Sequence, residues 1–156
     1  GINSGDTDAA MNAAWFRLTD TKRGSPMTLS VLQRKLVVPQ AAKGVARFSF
    51  DELCRQPLGA ADYIVLARTF HTILIDRVPS FTREEGNEAR RFTLLIDTLY
   101  DERVKLVCSA AAAPSELCRR CEDAEWFKRA ASRLMEMRSA EYLSLGHRTH
   151  QLAPAS

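Results

Sequence analysis

The sequence predicts an α/β domain with a mixed sheet, built from an N-terminal β-hairpin, a βαβ unit and flanking helices. Three observations predict this class. Apolar and polar residues alternate early in the chain, as they do in half-buried strands, and later segments repeat apolar residues at helical spacing. A strand, a helix and a second strand then follow one another with the crossover length that parallel strands require. With 156 residues, 46% of them apolar, the chain can bury the core of one domain.

The first residues predict a loose leader and then a short helix. Residues 1–10 begin with small polar residues and lack the basic start and apolar stretch of a signal peptide, so we expect a disordered or cloning-derived leader. A helix over residues 9–18 would carry Met11, Trp15 and Leu18 on one side, because they are spaced by four and three residues.

Three strands are predicted next. Residues 27–38 alternate apolar and polar side chains around a basic turn, and Pro39 closes this hairpin. A third strand follows, in which every second side chain is apolar and points to one face. We expect Ala46, Phe48 and Phe50 on the inner face of this strand.

The segment 51–70 predicts a short helix and a longer one, because residues 57–59 read Pro-Leu-Gly and break the pattern. In the longer helix, Asp62 is expected in the first turn, where its carboxylate caps the positive end of the helix. Tyr63 is expected to face the core. Apolar residues at helical spacing continue the inner face as far as Phe70.

The βαβ unit begins with a strand over residues 72–78. Thr82 and Glu85 stand in S/T-x-x-E register, a capping box that would start a helix running to about Arg103. Residues 104–110 then form an apolar run of strand length. The buried face of the helix is expected to comprise Phe92, Leu95, Ile96 and Leu99.

Two more helices complete the domain, which we expect to span residues 11–145. Pro114 is suited to the first turn of a short helix ending at Cys118. A final helix over residues 123–139 would bury Phe127, Ala130, Leu134 and Met137. Residues 146–156 have no apolar period and are expected to be a flexible tail.

Charge and cysteine content favour no particular ligand. The net charge of +3 arises from 22 basic and 19 acidic residues spread along the chain, so no nucleic-acid partner is indicated, and no run is long and apolar enough for a transmembrane segment. The spacing of Cys118 and Cys121 is C-x-x-C, but a zinc site needs four ligands and no second pair completes it. We therefore expect free thiols in a reducing compartment.

Three long segments carry a family resemblance: "DYIVLARTFHTILIDRVP", "NEARRFTLLIDTLYDERVKLVCSA" and "ASRLMEMRSAEYL". In this order they resemble the C-terminal half of ZapE-type ATPases, bacterial relatives of the mitochondrial lactation-elevated AAA+-like ATPases. The resemblance implies a P-loop ATPase that uses ATP and magnesium, with its phosphate loop, its magnesium-binding acids and its sensor strand in an N-terminal half. No G-x-x-x-x-G-K-[ST] segment occurs in this sequence, so the chain alone is expected to be inactive.

The resemblance also implies partners and a location. The principal partner would be the N-terminal ATPase half, and family members are associated with cell division and the tubulin-like ring protein FtsZ. A homo-oligomeric full-length form is left open. The expected location is the cytoplasm, including the periphery of the inner membrane at the division site, or the mitochondrion for a eukaryotic protein. An alternative interpretation is an interaction module that docks on a partner such as FtsZ without a part in hydrolysis.

Three arginines are the candidates for nucleotide response, and no catalytic or metal-binding residue is assigned. Arg90 and Arg91 lie early in the βαβ helix and could reach a nucleotide phosphate; the alternative is an ion pair with a neighbouring acid, among them Glu88, Asp97 and Asp101. Arg133, in "ASRLMEM", could sense nucleotide across a domain junction. Its alternative is an ion pair with Glu136 or Glu141.

Two further polar residues receive structural interpretations. Asp76 ends a buried strand, as magnesium ligands do in phosphate-handling folds, but without a phosphate loop it is not assigned as a ligand. His71 precedes the same strand and is expected to be a hydrogen-bonding residue, because no Ser or Cys is positioned to form a triad with it.

Overall fold

The structure, a computed structural model, describes residues 4–121, 124–137, 141–144 and 150–151. It has the predicted α/β architecture with a mixed sheet. The strands are β1 Ser25–Val31, β2 Arg34–Ala42, β3 Val45–Ser49, β4 Thr72–Val78, β5 Lys105–Ala110, β6 Glu141–Ser144 and β7 His150–Gln151. The α-helices are α1 Ser4–Thr19, α2 Phe50–Cys54, α3 Ala60–Thr69, α4 Gly86–Asp101 and α5 Glu125–Glu136, and two 3-10 turns span Pro114–Glu116 and Arg119–Cys121.

The strands of the described sheet lie side by side in chain order, from β1 to β7. The β1–β2 hairpin and the β2–β3 pair are antiparallel, whereas β3, β4, β5 and β6 are mutually parallel. The β4–α4–β5 segment confirms the predicted βαβ unit, and β7 adds an antiparallel edge. The carboxyl ends of β3, β4 and β5 therefore meet at one edge of the sheet.

One face of the sheet is covered by α2, α3, α4 and α5 and carries the larger apolar core. Ala46 and Phe48 of β3 point into this core, as the alternation predicts. Phe50 is buried in the same core from the first turn of α2, because the strand ends at Ser49. Phe50 also packs against Phe81 and Phe92, with ring centroids 5.5 and 6.0 Å from its own. The predicted inward faces of α3, α4 and α5 are all buried here.

The opposite face is covered by α1. Met11, Ala14 and Trp15 pack there on a row of alternate strand residues, which comprises Val45, Leu74, Val107 and Leu143. Because β3, β4, β5 and β6 alternate between the two faces, both faces of the parallel strands are buried along most of their length.

Several predicted boundaries are wrong. The first helix begins at Ser4, so the end of the expected leader is helical. Helix α4 begins at Gly86, because residues 82–85 form a turn in which the Glu85 carboxylate accepts the Thr82 N–H at 3.0 Å. That turn contains one half of a capping box, the bond from the Thr82 N–H to the Glu85 carboxylate.

The C-terminal part also differs from expectation. Residues after α5 add β6, which pairs in parallel with β5, and β7 lies within the segment 146–156 that was expected to be a flexible tail. The remainder of that segment, including His147, lies outside the described residues. In the part of the chain that the structure describes, no helix has the length and apolar character to cross a membrane.

Candidate functional site

Arg91 links the start of α4 to α2. Its Nη1 donates a hydrogen bond to the main-chain carbonyl of Cys54, the last residue of α2, over 3.1 Å. The guanidinium is half-buried in this position. The alternative interpretation, an ion pair between Arg91 and a neighbouring acid, is not seen within the described residues.

Arg90 lies in the contact between α4 and α5. Its guanidinium carbon is 4.6 Å from the ring centroid of Trp126, a cation–π distance, and the side chain is exposed. Within the described residues Arg90 has no carboxylate partner. Its guanidinium is therefore held in one orientation at the surface by an aromatic ring.

Arg133 lies in the same α4–α5 contact but is paired. Its Nη1 donates to Asp97 Oδ1 over 2.8 Å, and its guanidinium carbon is 5.0 Å from the Tyr100 ring centroid. The hydrogen bond to Asp97 raises the pKa of Arg133 above its usual value. Arg129 approaches the other oxygen of Asp97 at 3.8 Å. The ion-pair partner of Arg133 is thus on α4 instead of nearby in sequence.

The three arginines do not form one cluster. Arg90 and the Asp97 that holds Arg133 are seven residues apart on α4, which is roughly 10 Å along the helix axis. Arg91 faces α2, on another side of the helix. The arrangement offers two cationic positions along the α4–α5 contact and a third beside α2, and their role in nucleotide response stays a prediction.

Asp76 is held by a contact that the sequence did not reveal. Arg47, its neighbour on β3, donates from Nε to Oδ2 over 2.7 Å and from Nη2 to Oδ1 over 2.9 Å. The Nη1 group of Arg47 donates to Asn12 Oδ1 of α1 over 2.8 Å. Both carboxylate oxygens of Asp76 thus serve a bidentate ion pair beneath α1.

A second bidentate ion pair lies on the larger face. Arg34, at the start of β2, donates two hydrogen bonds to the fully buried Asp62 on α3, one of them over 2.6 Å. Asp62 also accepts the Gly59 N–H over 2.8 Å, which confirms its predicted capping position. Burial alone would raise the pKa of Asp62, but the bonds from Arg34 and Gly59 hold it below its ordinary value.

The cysteines differ from the prediction. Cys118 and Cys121 form a disulfide, so the expected free thiols at the C-x-x-C motif are wrong; the turn between them brings their Cα atoms to 5.2 Å. Cys54 and Cys108 are free and buried. Burial raises the pKa of Cys54 to about 12 and that of Cys108 further, which makes both poor nucleophiles.

His71 has the structural position that was expected. Its Nδ1 lies 2.8 Å from the Thr72 hydroxyl, and its Nε2 lies 2.9 Å from the Lys43 carbonyl oxygen. The ring packs against Gly44, where a Cβ atom would lie 2.6 Å from it. Within the described residues no group of three or more His, Cys, Asp or Glu side chains could hold a metal ion.

Comparisons with known proteins show the family of this chain. The chain belongs to the AFG1-like ATPase family, whose sequence model matches residues 2–145. It is similar to the cell division protein ZapE of Escherichia coli K12, with 38% identity over 142 residues, 91% of this chain and 38% of that protein. It is also similar to the zebrafish (Danio rerio) lactation elevated protein 1 homolog B, with 41% identity over 111 residues, 69% of this chain and 22% of that protein.

The matches cover this chain more fully than they cover the relatives. The chain spans 38% of the length of the bacterial relative and a smaller share of the vertebrate one. No solved structure matches the chain. The matches therefore show an ATPase-family domain.

Proposed function

We propose that this chain is the C-terminal part of a ZapE-type, AAA+-like P-loop ATPase, which binds and hydrolyses ATP with magnesium in its full-length form. In that form the domain supports the response of the catalytic half to nucleotide. Family membership supports the ATPase class. The observation that carries the proposal is Arg90, an exposed guanidinium oriented by Trp126 at 4.6 Å and without a carboxylate partner in the described residues. An oriented, unneutralised cation suits a developing negative charge on phosphate.

The test uses the full-length protein and single substitutions. Arg90→Ala and Arg91→Ala should each lower the turnover of ATP, by about tenfold or more for an arginine that stabilises transition-state charge. Arg133→Ala tests the same role for the paired arginine. The matched control for it is Arg129→Ala, which removes a cation facing the same carboxylate, Asp97. Arg68→Ala, at an exposed ion pair with Glu102, controls for general loss of positive charge.

The outcomes separate a nucleotide role from a structural one. A fall in kcat for Arg90→Ala and Arg91→Ala, with unchanged thermal stability and unchanged Arg68→Ala, supports the proposal. Equal losses of ATP turnover in Arg133→Ala and Arg129→Ala would show that Arg133 serves to hold α4 against α5 through Asp97. Full turnover in all three candidate variants contradicts the proposal.

The isolated 156-residue chain is proposed to be inactive, because its sequence has no G-x-x-x-x-G-K-[ST] loop. Phosphate release from ATP should equal that of a buffer blank at any magnesium concentration. Magnesium-dependent release above the blank, lost when the protein is heat-denatured, would overturn this part of the proposal.

The alternative function is docking on a protein partner such as FtsZ in cell division, in the cytoplasm or beside the inner membrane, or in the mitochondrion for a eukaryotic protein. The β1–β2 hairpin favours it, since Leu32 at its tip is 83% exposed and Val37 is 58% exposed. Leu32→Asp and Val37→Asp should abolish capture of purified FtsZ and leave ATP turnover intact. Unchanged capture in both variants would contradict docking through this hairpin.

A further inference from the structure

A polar cleft of about 360 Å³ opens at the carboxyl ends of β3 and β4, beside α1. β3 and β4 are parallel neighbours, so the residues that follow both strands come together at this edge. The cleft is separate from Arg90, Arg91 and Arg133. Its polar lining consists of Asn12, Lys22, Arg23, Gln40, Arg47, Ser49, Glu52, Asp76 and Arg77.

The charges of this lining leave an excess of cations. Four cations and two acids line the cleft: Asp76 is bound by Arg47, and Glu52 accepts the Ser49 N–H over 2.7 Å as part of a capping box. Lys22 and Arg23 are exposed, and neither pairs with a carboxylate within the described residues. The unneutralised charge therefore lies on the loop between α1 and β1.

Arg77 enters the cleft through an unusual backbone conformation. Its φ angle of 60° lies in the left-handed region, at an irregularity in the pairing of β4 with β5. The Arg77 N–H donates to Ser109 Oγ over 2.9 Å, which holds this bend. Bulges of this kind re-aim a side chain, often beside functional sites. Its exposed guanidinium makes a long ion pair with Asp8, with Nη1 3.9 Å from Oδ1.

The two amides of the cleft present donors. Asn12 Oδ1 accepts a hydrogen bond from Arg47, and Gln40 Oε1 accepts the Gly24 N–H over 3.1 Å. Because each amide oxygen is already used, the NH₂ group of each side chain is left to donate. The Gly24 contact also anchors the loop that carries Lys22 and Arg23. The cleft thus combines amide, guanidinium and ammonium donors, which suit acceptor-rich oxyanions.

We propose that this cleft binds the oligophosphate group of a soluble ligand. Several cations in one concave site match several phosphate charges better than they match a single carboxylate. The site does not depend on the proposed role of Arg90, Arg91 and Arg133.

Inorganic tripolyphosphate is the probe, titrated into the 156-residue chain in an isothermal calorimeter. We expect saturable binding of one molecule per chain, weakening as salt screens the charges. Arg77→Gly is the decisive variant, because glycine adopts φ near 60° without strain and the fold should be retained. It should weaken binding by about tenfold, the effect of losing one charge-assisted contact.

Arg103→Gly is the matched control. Arg103 is also an exposed arginine at positive φ, 58°, but it follows α4 and does not line the cleft. It should bind tripolyphosphate as the unaltered chain does. Lys22→Ala and Arg23→Ala should each weaken binding as Arg77→Gly does, with circular dichroism confirming the fold of every variant.

Three results would overturn the proposal. The first is no binding by the unaltered chain at low salt, and the second is equal binding by Arg77→Gly and Arg103→Gly. The third concerns the source of the phosphate. Sedimentation with phosphatidylglycerol vesicles, sensitive to Arg77→Gly and without binding of tripolyphosphate, would assign the cleft to a lipid headgroup instead.

Discussion

The two faces of the sheet are stabilised differently. The face covered by α2 to α5 has an extensive apolar core, with the Phe50, Phe81 and Phe92 rings at its centre. The face covered by α1 has a small apolar cluster, and beside it lies the Arg47–Asp76 ion pair with Asn12. Apolar burial dominates the first face, which adds the Arg34–Asp62 ion pair, whereas the second combines a smaller apolar cluster with the Arg47–Asp76 network.

This difference explains where ligand chemistry is expected. On the apolar face, Arg90 and Arg133 lie along the contact between α4 and α5, and Arg91 contacts α2. The α1 face leaves part of the sheet edge uncovered, where polar side chains at the ends of β3 and β4 meet solvent. Comparing substitutions on the two faces tests the contrast.

The largest effect is expected from Phe50→Ala on the apolar face. Phe50 is fully buried, so its removal leaves a cavity and should lower the free energy of unfolding by about 3–5 kcal/mol. Phe16→Ala on α1 is the control; Phe16 is 50% exposed, and the loss should stay within about 0.5 kcal/mol. Urea unfolding measures both. Similar losses would show that the apolar core is not the dominant source of stability.

A smaller loss in the free energy of unfolding is expected from Asp76→Ala on the α1 face. It leaves the largely buried Arg47 without its carboxylate, which should cost about 2–4 kcal/mol. The double variant Arg47→Met/Asp76→Leu removes both charges and should lose less than Asp76→Ala alone. If the stability loss of the double variant instead equals the sum of the losses for Arg47→Met and Asp76→Leu measured singly, the two residues are not coupled and the contrast between the faces fails.

The smallest effect is a pH dependence from Asp62 on the apolar face. Arg34 and Gly59 hold its folded pKa below the ordinary value for an aspartate, so its stabilising contribution is present above the unfolded pKa and is lost as pH falls through the folded one. The stability difference between the unaltered chain and Asp62→Asn should therefore narrow as pH falls from about 5 to about 3.

Urea unfolding at a series of pH values measures this difference. Arg34→Met is the informative companion variant. It removes the bonds from Arg34 that lower the pKa of Asp62, so the Gly59 N–H is the main contact that still opposes burial, which raises this pKa. Its loss of stability on acidification should be smaller. A constant difference between Asp62→Asn and the unaltered chain across this range would contradict the assignment.

Local sequence patterns predicted most of the elements. The hairpin, the strand from Thr72 to Val78 and the buried face of α4 are where alternation or helical spacing placed them. These patterns can be read from neighbouring residues, because side chains that share one buried face recur at the period of their strand or helix. The same period does not mark the ends of a helix, which is why α4 begins at Gly86 after a turn that resembles a capping box.

The sequence could not predict contacts between distant segments. Glu85 accepts the Thr82 N–H with one carboxylate oxygen and also pairs with the distant Arg55 through the other. The four-residue strand β6 is too short to be recognised without β5 beside it. The disulfide was missed because C-x-x-C spacing is compatible with paired or free thiols. The Arg47–Asp76 pair joins residues 29 positions apart, and no local pattern connects them.

By itself, the sequence determined the class of fold, the family and the apolar residues of the core, because periodicity and family segments are properties of neighbouring residues. The tertiary structure alone decided which charges meet: Arg47 with Asp76, Arg133 with Asp97, and the cationic residues around the cleft. Electrostatic pairing depends on distance through space, and that distance is set by strand order and helix packing.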